Sequence, residues 1–139
     1  MRSLSSELRR TPPSRSKNRS VLYQRLAQGA LSLGRTPEAI AYYEEATKAD
    51  IQNILAVWEY SVLCYREKQF EAAQKGFRSL LLHKFDRNAG IDRADMYYYL
   101  SDIASKEGDV TKARSLAERA LAENEQHESA RKLLSEIVR

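Results

Sequence analysis

The sequence predicts an all-α fold of antiparallel helix pairs, about seven helices in all. Three observations predict it. Helix breakers are scarce, with five glycines and three prolines among 139 residues. Apolar residues recur at spacings of three and four, the signature of one helical face. One such face also recurs along the chain: Ala39, Tyr43 and Ala46 are followed 34 residues later by Ala73, Phe77 and Leu80.

In chain order, the first element is a basic arm. Residues 1–19 hold Arg2, Arg9, Arg10, Arg15, Lys17 and Arg19 against Glu7 alone, so the formal net charge of +4 sits there. The remainder of the chain is near neutral. Leu4 and Leu8 are the arm's large apolar residues after Met1, and Pro12-Pro13 interrupts any helix. So little apolar surface predicts a disordered segment. Three roles fit its composition. It is a solvated tail, an arm that docks on acidic surfaces or nucleic acid, or an organelle transit peptide, being rich in Arg and Ser and poor in acids.

Residues 20–139 read as the folded part. A first helix over Val21–Leu33 carries Tyr23, Leu26, Ala27 and Ala30 on its packing face. A second begins at "TPEAIAYYEEA", where Thr36 is the expected cap, Pro37 needs no N–H donor, and Glu38 meets the positive end of the helix dipole. A third, Ile54–Glu67, repeats the first helix's set as Val57, Tyr60, Ser61 and Cys64. A fifth, Ala94–Glu107, repeats it as Tyr97, Leu100, Ser101 and Ala104. The second-helix set returns as Ala113, Ala117 and Ala120 after an offset of 40, and the extra residues fit the turn-rich connection "HKFDRNAGID". A last helix over residues 128–138 buries Ala130, Leu133, Leu134 and Ile137 and would cover the end of the third unit.

This 34-residue helix–turn–helix unit, with large-large-small-small on the first helix and an Ala–aromatic–Ala face on the second, resembles the tetratricopeptide repeat family. Three copies in phase carry the resemblance, at about 20–53, 54–87 and 94–127. It implies a right-handed α-solenoid. There are departures: the family's usual first-helix Trp is Tyr23, Val57 and Tyr97, its frequent inter-unit Pro is Ile51 and Glu125, and Lys68 replaces the turn Gly of Gly34 and Gly108.

Catalytic, metal and cofactor roles find no support. No Gly-rich phosphate loop or nucleophile elbow is present, and His83 and His127 lack partners at metal spacing and read as surface residues. The single cysteine, Cys64, excludes an internal disulfide, favours a reducing compartment such as the cytoplasm, and falls at a small packing position as a buried, inert thiol. Glu44 and Glu45 read as solvated acids, with Lys48 the expected partner of Glu44. No apolar run reaches the roughly 20 residues of a membrane span.

The resemblance implies that the first helix of each unit lines a concave peptide groove. Gln24 and Gln28 hold the groove positions in unit one, Leu55, Trp58, Val62 and Tyr65 in unit two, and Asp95, Tyr98 and Asp102 in unit three. An apolar, aromatic middle beside an acidic third unit implies a non-catalytic adaptor that binds a partner's apolar or aromatic segment, with a basic residue near Asp95 and Asp102. The alternative for Trp58 and Tyr98 is plain packing. Some family members grip chaperone C-terminal carboxylates with cations. Here Gln24, Gln28, Glu59, Asp95 and Tyr99 hold the matching positions, so that clamp is not expected. Competing readings are nucleic-acid association through Arg9, Arg10, Arg15, Lys17 and Arg19, and self-association into a homo-oligomer.

Overall fold

The computed structural model describes residues 13–83 and 90–138. Among them are seven helices: α1 (Pro13–Ser32), α2 (Thr36–Ala49), α3 (Ile54–Arg66), α4 (Phe70–Leu81), α5 (Arg93–Lys106), α6 (Val110–Glu123) and α7 (Glu128–Ile137). The fold is an all-α helical repeat. Contacts divide the chain after Glu67 into two compact units. In the first, α1 packs along α2, and both contact α3. In the second, α5 packs along α6, while α4 contacts α5 and α7 contacts α6 and α5.

The repeat pattern is a burial pattern. Ala39, Ala73 and Ala113 are fully buried, as are Ala46, Leu80 and Ala120. Between them Tyr43, Phe77 and Ala117 are buried too. On the first helices Ala27, Ser61, Cys64 and Ser101 are fully buried, and Ala30 and Ala104 nearly so. Small residues at these places let paired helices approach closely, and the aromatic or aliphatic side chain between them fills the remaining space. In the first unit this builds two adjoining clusters, one around Ala27, Ala30, Ala39, Tyr43 and Leu63, the other around Tyr23, Ala46 and Ala56, both flanked by Tyr42. Buried serines need acceptors, and they find them: Ser61 Oγ donates to Val57 O at 2.7 Å, and Ser101 Oγ to Ala113 O at 2.6 Å.

Several expectations require correction. The assigned arm does not extend to residue 19: α1 begins at Pro13, so Arg15, Lys17 and Arg19 are helical. Proline suits a helix start, and Ser20 anchors this stretch by donating to Ala46 O at 2.7 Å. Arg9 and Arg10 lie outside the described residues. Thr36 does not cap α2; it is the first helical residue, the cap position is Arg35, and no side chain caps there. Leu26 is 41% exposed, whereas its counterparts Tyr60 and Leu100 are half-buried and buried. No described helix covers that face of α1. Lys48 pairs with Glu45 at 3.9 Å, and Glu44 instead accepts from Tyr60 Oη at 3.2 Å.

Cys64 is fully buried, and burial pushes its thiol pKa up. The turn after each first helix needs a left-handed residue. Gly34 and Gly108 supply it with φ of 75° and 84°, and Lys68 adopts it with φ of 62°. A side chain costs about 1–2 kcal/mol in that region. Lys68→Gly is therefore expected to raise unfolding free energy by about 0.5–1 kcal/mol, after the added freedom of the unfolded chain is counted, read by urea denaturation.

Three core tyrosines set the alkaline limit. Burial, then Glu59, pushes the Tyr43 phenol from 10.0 to about 12. Burial chiefly raises Tyr60 and Tyr23 as well. Each folded pKa lies above the unfolded value, so the stabilisation is complete below pH 10 and is lost as pH rises toward 12. Thermal melts across that window should show a falling midpoint, with a shallower slope for Tyr43→Phe.

Candidate functional site

In the first unit, a chain of polar groups joins the groove positions of α1 to α3. Glu59 accepts from Gln24 Nε2 at 2.8 Å and from Gln28 Nε2 at 2.8 and 3.0 Å. A carboxylate only accepts, so both amide nitrogens must face it. That fixes Gln24 with its oxygen toward Asn53, whose Nδ2 donates to it at 3.1 Å and to Ser20 Oγ at 2.9 Å. The Asn53 oxygen is then free to cap α3, accepting from Ala56 N at 3.2 Å. Gln24 is buried and Gln28 exposed. Both are engaged with a carboxylate of their own chain.

The rest of α3 has two apolar faces. Ala56, Val57, Leu63 and Cys64 are buried. Leu55, Trp58, Val62 and Tyr65 follow one another at spacings of three, four and three on a second face, where Leu55 is 39% exposed and the others are half-buried.

In the second unit, Asp95 and Tyr98 meet His127. Asp95 Oδ1 lies 2.6 Å from His127 Nε2, and His127 Nδ1 accepts from Ala130 N at 3.1 Å. Nδ1 therefore holds a lone pair, and the ring proton sits on Nε2 facing the carboxylate. The Tyr98 ring lies 5.4 Å from the His127 ring and 5.5 Å from Tyr99, which stacks on Phe77 at 5.3 Å. The surface reading of His127 is thus corrected: its side chain is only 10% exposed, and it caps α7. Asp102 pairs with Lys106 on its own helix at 2.5 Å.

His127 and Asn53 were not assigned to the site from sequence. They stand at the same position of their repeats, each capping the following helix and reaching back to the groove face of the preceding pair. A polar residue three before a buried Ala, just after a turn, is the signal that marks both. Among the described residues no group of three or more His, Cys, Asp or Glu is placed to hold a metal ion. No described helix is long and apolar enough to cross a membrane.

A tetratricopeptide repeat family model matches residues 25–81. Residues 25–81 thus match the tetratricopeptide repeat, and the chain shares its fold with solved tetratricopeptide repeat proteins. Solved structures with the same fold include the first such domain of Spaghetti (RPAP3) bound to the HSP90 peptide SRMEEVD, at 16% identity and a TM-score of 0.70 over 88% of this chain and 92% of that one. The N-terminal domain of stress-induced protein-1 from C. elegans matches at 17% identity and 0.70, over 89% and 98%. YrrB, described as having an unusual peptide-binding site, matches at 22% identity and 0.65; 84% of this chain aligns, and it spans 57% of YrrB. A comparison with curated proteins returned no match.

Asn53 serves a cap and two side-chain bonds at once. Asn53→Ala is expected to cost about 1–3 kcal/mol, since it removes a cap and leaves Ser20 and Gln24 short of a donor. Asn53→Asp, which keeps the cap but cannot donate, should cost less. Denaturant titrations of both variants check the order.

Proposed function

We propose that this protein is a non-catalytic adaptor that binds a peptide or helix of a partner protein on the first-helix faces. The observation that carries this is the second apolar face of α3. Leu55, Trp58, Val62 and Tyr65 place a partly exposed apolar and aromatic row beside the buried face of α3. Such a partly exposed aromatic row suits apolar side chains of an incoming segment. Peptide binding by structural neighbours, Spaghetti with its HSP90 peptide and YrrB with its own site, supports the same reading. The lone buried cysteine favours a reducing compartment such as the cytoplasm.

The ligand proposed is apolar or aromatic with a cationic residue, not a C-terminal carboxylate. Gln24 and Gln28, at positions where a carboxylate clamp would place cations, already donate to Glu59. A ligand carboxylate there would have to displace Glu59 and then face its charge. Asp95 and Asp102 add negative charge to the third unit's face. Both have partners of their own, so a ligand cation would join an existing pair.

Trp58 is the protein's single tryptophan and reports directly on occupancy. Selection from a displayed peptide library should enrich aromatic and aliphatic residues beside Lys or Arg, and the selected peptides should shift Trp58 emission. Trp58→Ala should weaken them by about tenfold or more with helical circular dichroism unchanged. Undiminished binding by Trp58→Ala removes the assignment.

A further inference from the structure

The repeat symmetry itself points to a second surface. In repeats two and three, the positions equivalent to Leu22 are Ala56 and Met96, both fully buried, and those equivalent to Leu26 are Tyr60 and Leu100. Ala56 is covered by Tyr23 of α1 and by Tyr42 and Ala46 of α2, and Tyr60 packs on the neighbouring cluster around Tyr43. This face of a first helix is therefore the one on which a preceding helix stacks. On α1 the same face is open: Leu22 is 57% exposed and Leu26 41%. Arg15, Asn18, Arg19, Leu22, Tyr23 and Leu26 line an open depression of ≈ 510 Å³ along it. Arg15, Arg19, Leu22 and Leu26 follow at spacings of four, three and four, the stripe one helix offers to another.

Among the described residues, two buried polar atoms beside this stripe have no hydrogen-bond partner. Tyr23 is only 7% exposed, and its buried hydroxyl makes no hydrogen bond; nor does the buried Nη1 of Arg19. Their electrostatic surroundings are one-sided. α1 carries Arg15, Lys17, Arg19 and Arg25 and no acidic residue over its twenty positions, and three of these cations crowd its N-terminal half, where the helix dipole is also positive. Glu45 of α2 is close enough to act on the Tyr23 hydroxyl, but Glu45 pairs with Lys48.

We propose that the α1 stripe of Arg15, Arg19, Leu22 and Leu26 is a docking surface for an acidic amphipathic helix of a partner protein, separate from the α3 face. Its leucines would fill the depression, and its carboxylates would meet Arg15 and Arg19. Charge selects this occupant. A second copy meeting it with its own α1 face would bring the same cations without an acid. The chain's own residues 1–12 offer Glu7 against Arg2, Arg9 and Arg10. A nucleic acid would satisfy the cations but gain nothing from Leu22 and Leu26.

The test uses the full chain and a fluorescein-labelled, helix-stabilised peptide of about three turns, with leucines at alternating spacings of three and four and glutamates beside them. Anisotropy titration should show saturable, salt-sensitive binding. The doubly substituted Leu22→Ala, Leu26→Ala protein should bind about tenfold or more weakly, and Arg19→Gln several-fold more weakly, with helicity retained because both leucines are exposed. Trp58→Ala should bind as the parent does. Equal affinity for the same peptide with lysines in place of glutamates would overturn the proposal. So would loss of binding in Trp58→Ala with the leucine variant unaffected. A DNA duplex bound equally by parent and leucine variant, with no peptide binding, would assign the surface to nucleic acid instead. Peptide binding only after removal of residues 1–12 would assign it to the chain's own segment. A dimer seen by light scattering and lost in the leucine variant would assign it to a second copy.

Discussion

The structure depends on how closely two helices approach. Each second helix presents Ala, a larger residue, and Ala or Leu at spacings of four and three, and each first helix answers with a small residue at the crossing. Ala39, Ala73 and Ala113 are all fully buried, which leaves no room at those positions for another methylene. Tyr43 and Phe77 then fill what the alanines leave open. Where Ala117 stands instead, it too is fully buried, and Leu116 and Leu121 of the same helix are half-buried. Everything else, the groove faces included, is carried on pairs locked in this way.

A second constraint couples neighbouring pairs. The backbone at the start of a helix has unsatisfied N–H groups, and the residue that satisfies them sits at the end of a turn, close to the preceding pair. In this protein that residue does more than cap. Asn53 holds Ser20 and Gln24, and His127 holds Asp95 and stacks on Tyr98. The orientation of Gln24 and of Asp95 is thus set by the cap of the next helix. A polar side chain fixed this way loses less freedom when a ligand arrives, which favours selectivity.

The two apolar surfaces left over are different in kind. On α3, the extra face is aromatic and half-buried, beside carboxylates that already have partners. On α1, the extra face is aliphatic, more exposed and flanked by the cations of a helix that has no acidic residue. Partners that satisfy one would be repelled or left unpaired by the other. On the proposed readings, the two faces would take partners of different chemistry and so would not compete for one ligand.

The sequence alone determined the helices and their pairing. A face that recurs every 34 residues can be buried only if successive pairs present it in the same way, so Tyr23, Ala27, Ala30, Ala39, Tyr43 and Ala46 were legible as core. The turn chemistry was legible too, with Lys68 standing out because a left-handed position tolerates it poorly. What the sequence did not determine is which polar groups meet. His127 read as a surface residue and Asn53 drew no reading at all, because their partners lie 29 to 33 residues away and no local period marks them. Residues 13–19 read as a tail from composition, yet Ser20 ties that stretch to α2. Leu26 read as core because its counterparts are core. Only the tertiary structure decided that no described helix covers it, since burial belongs to what surrounds a residue and not to the residue's own period.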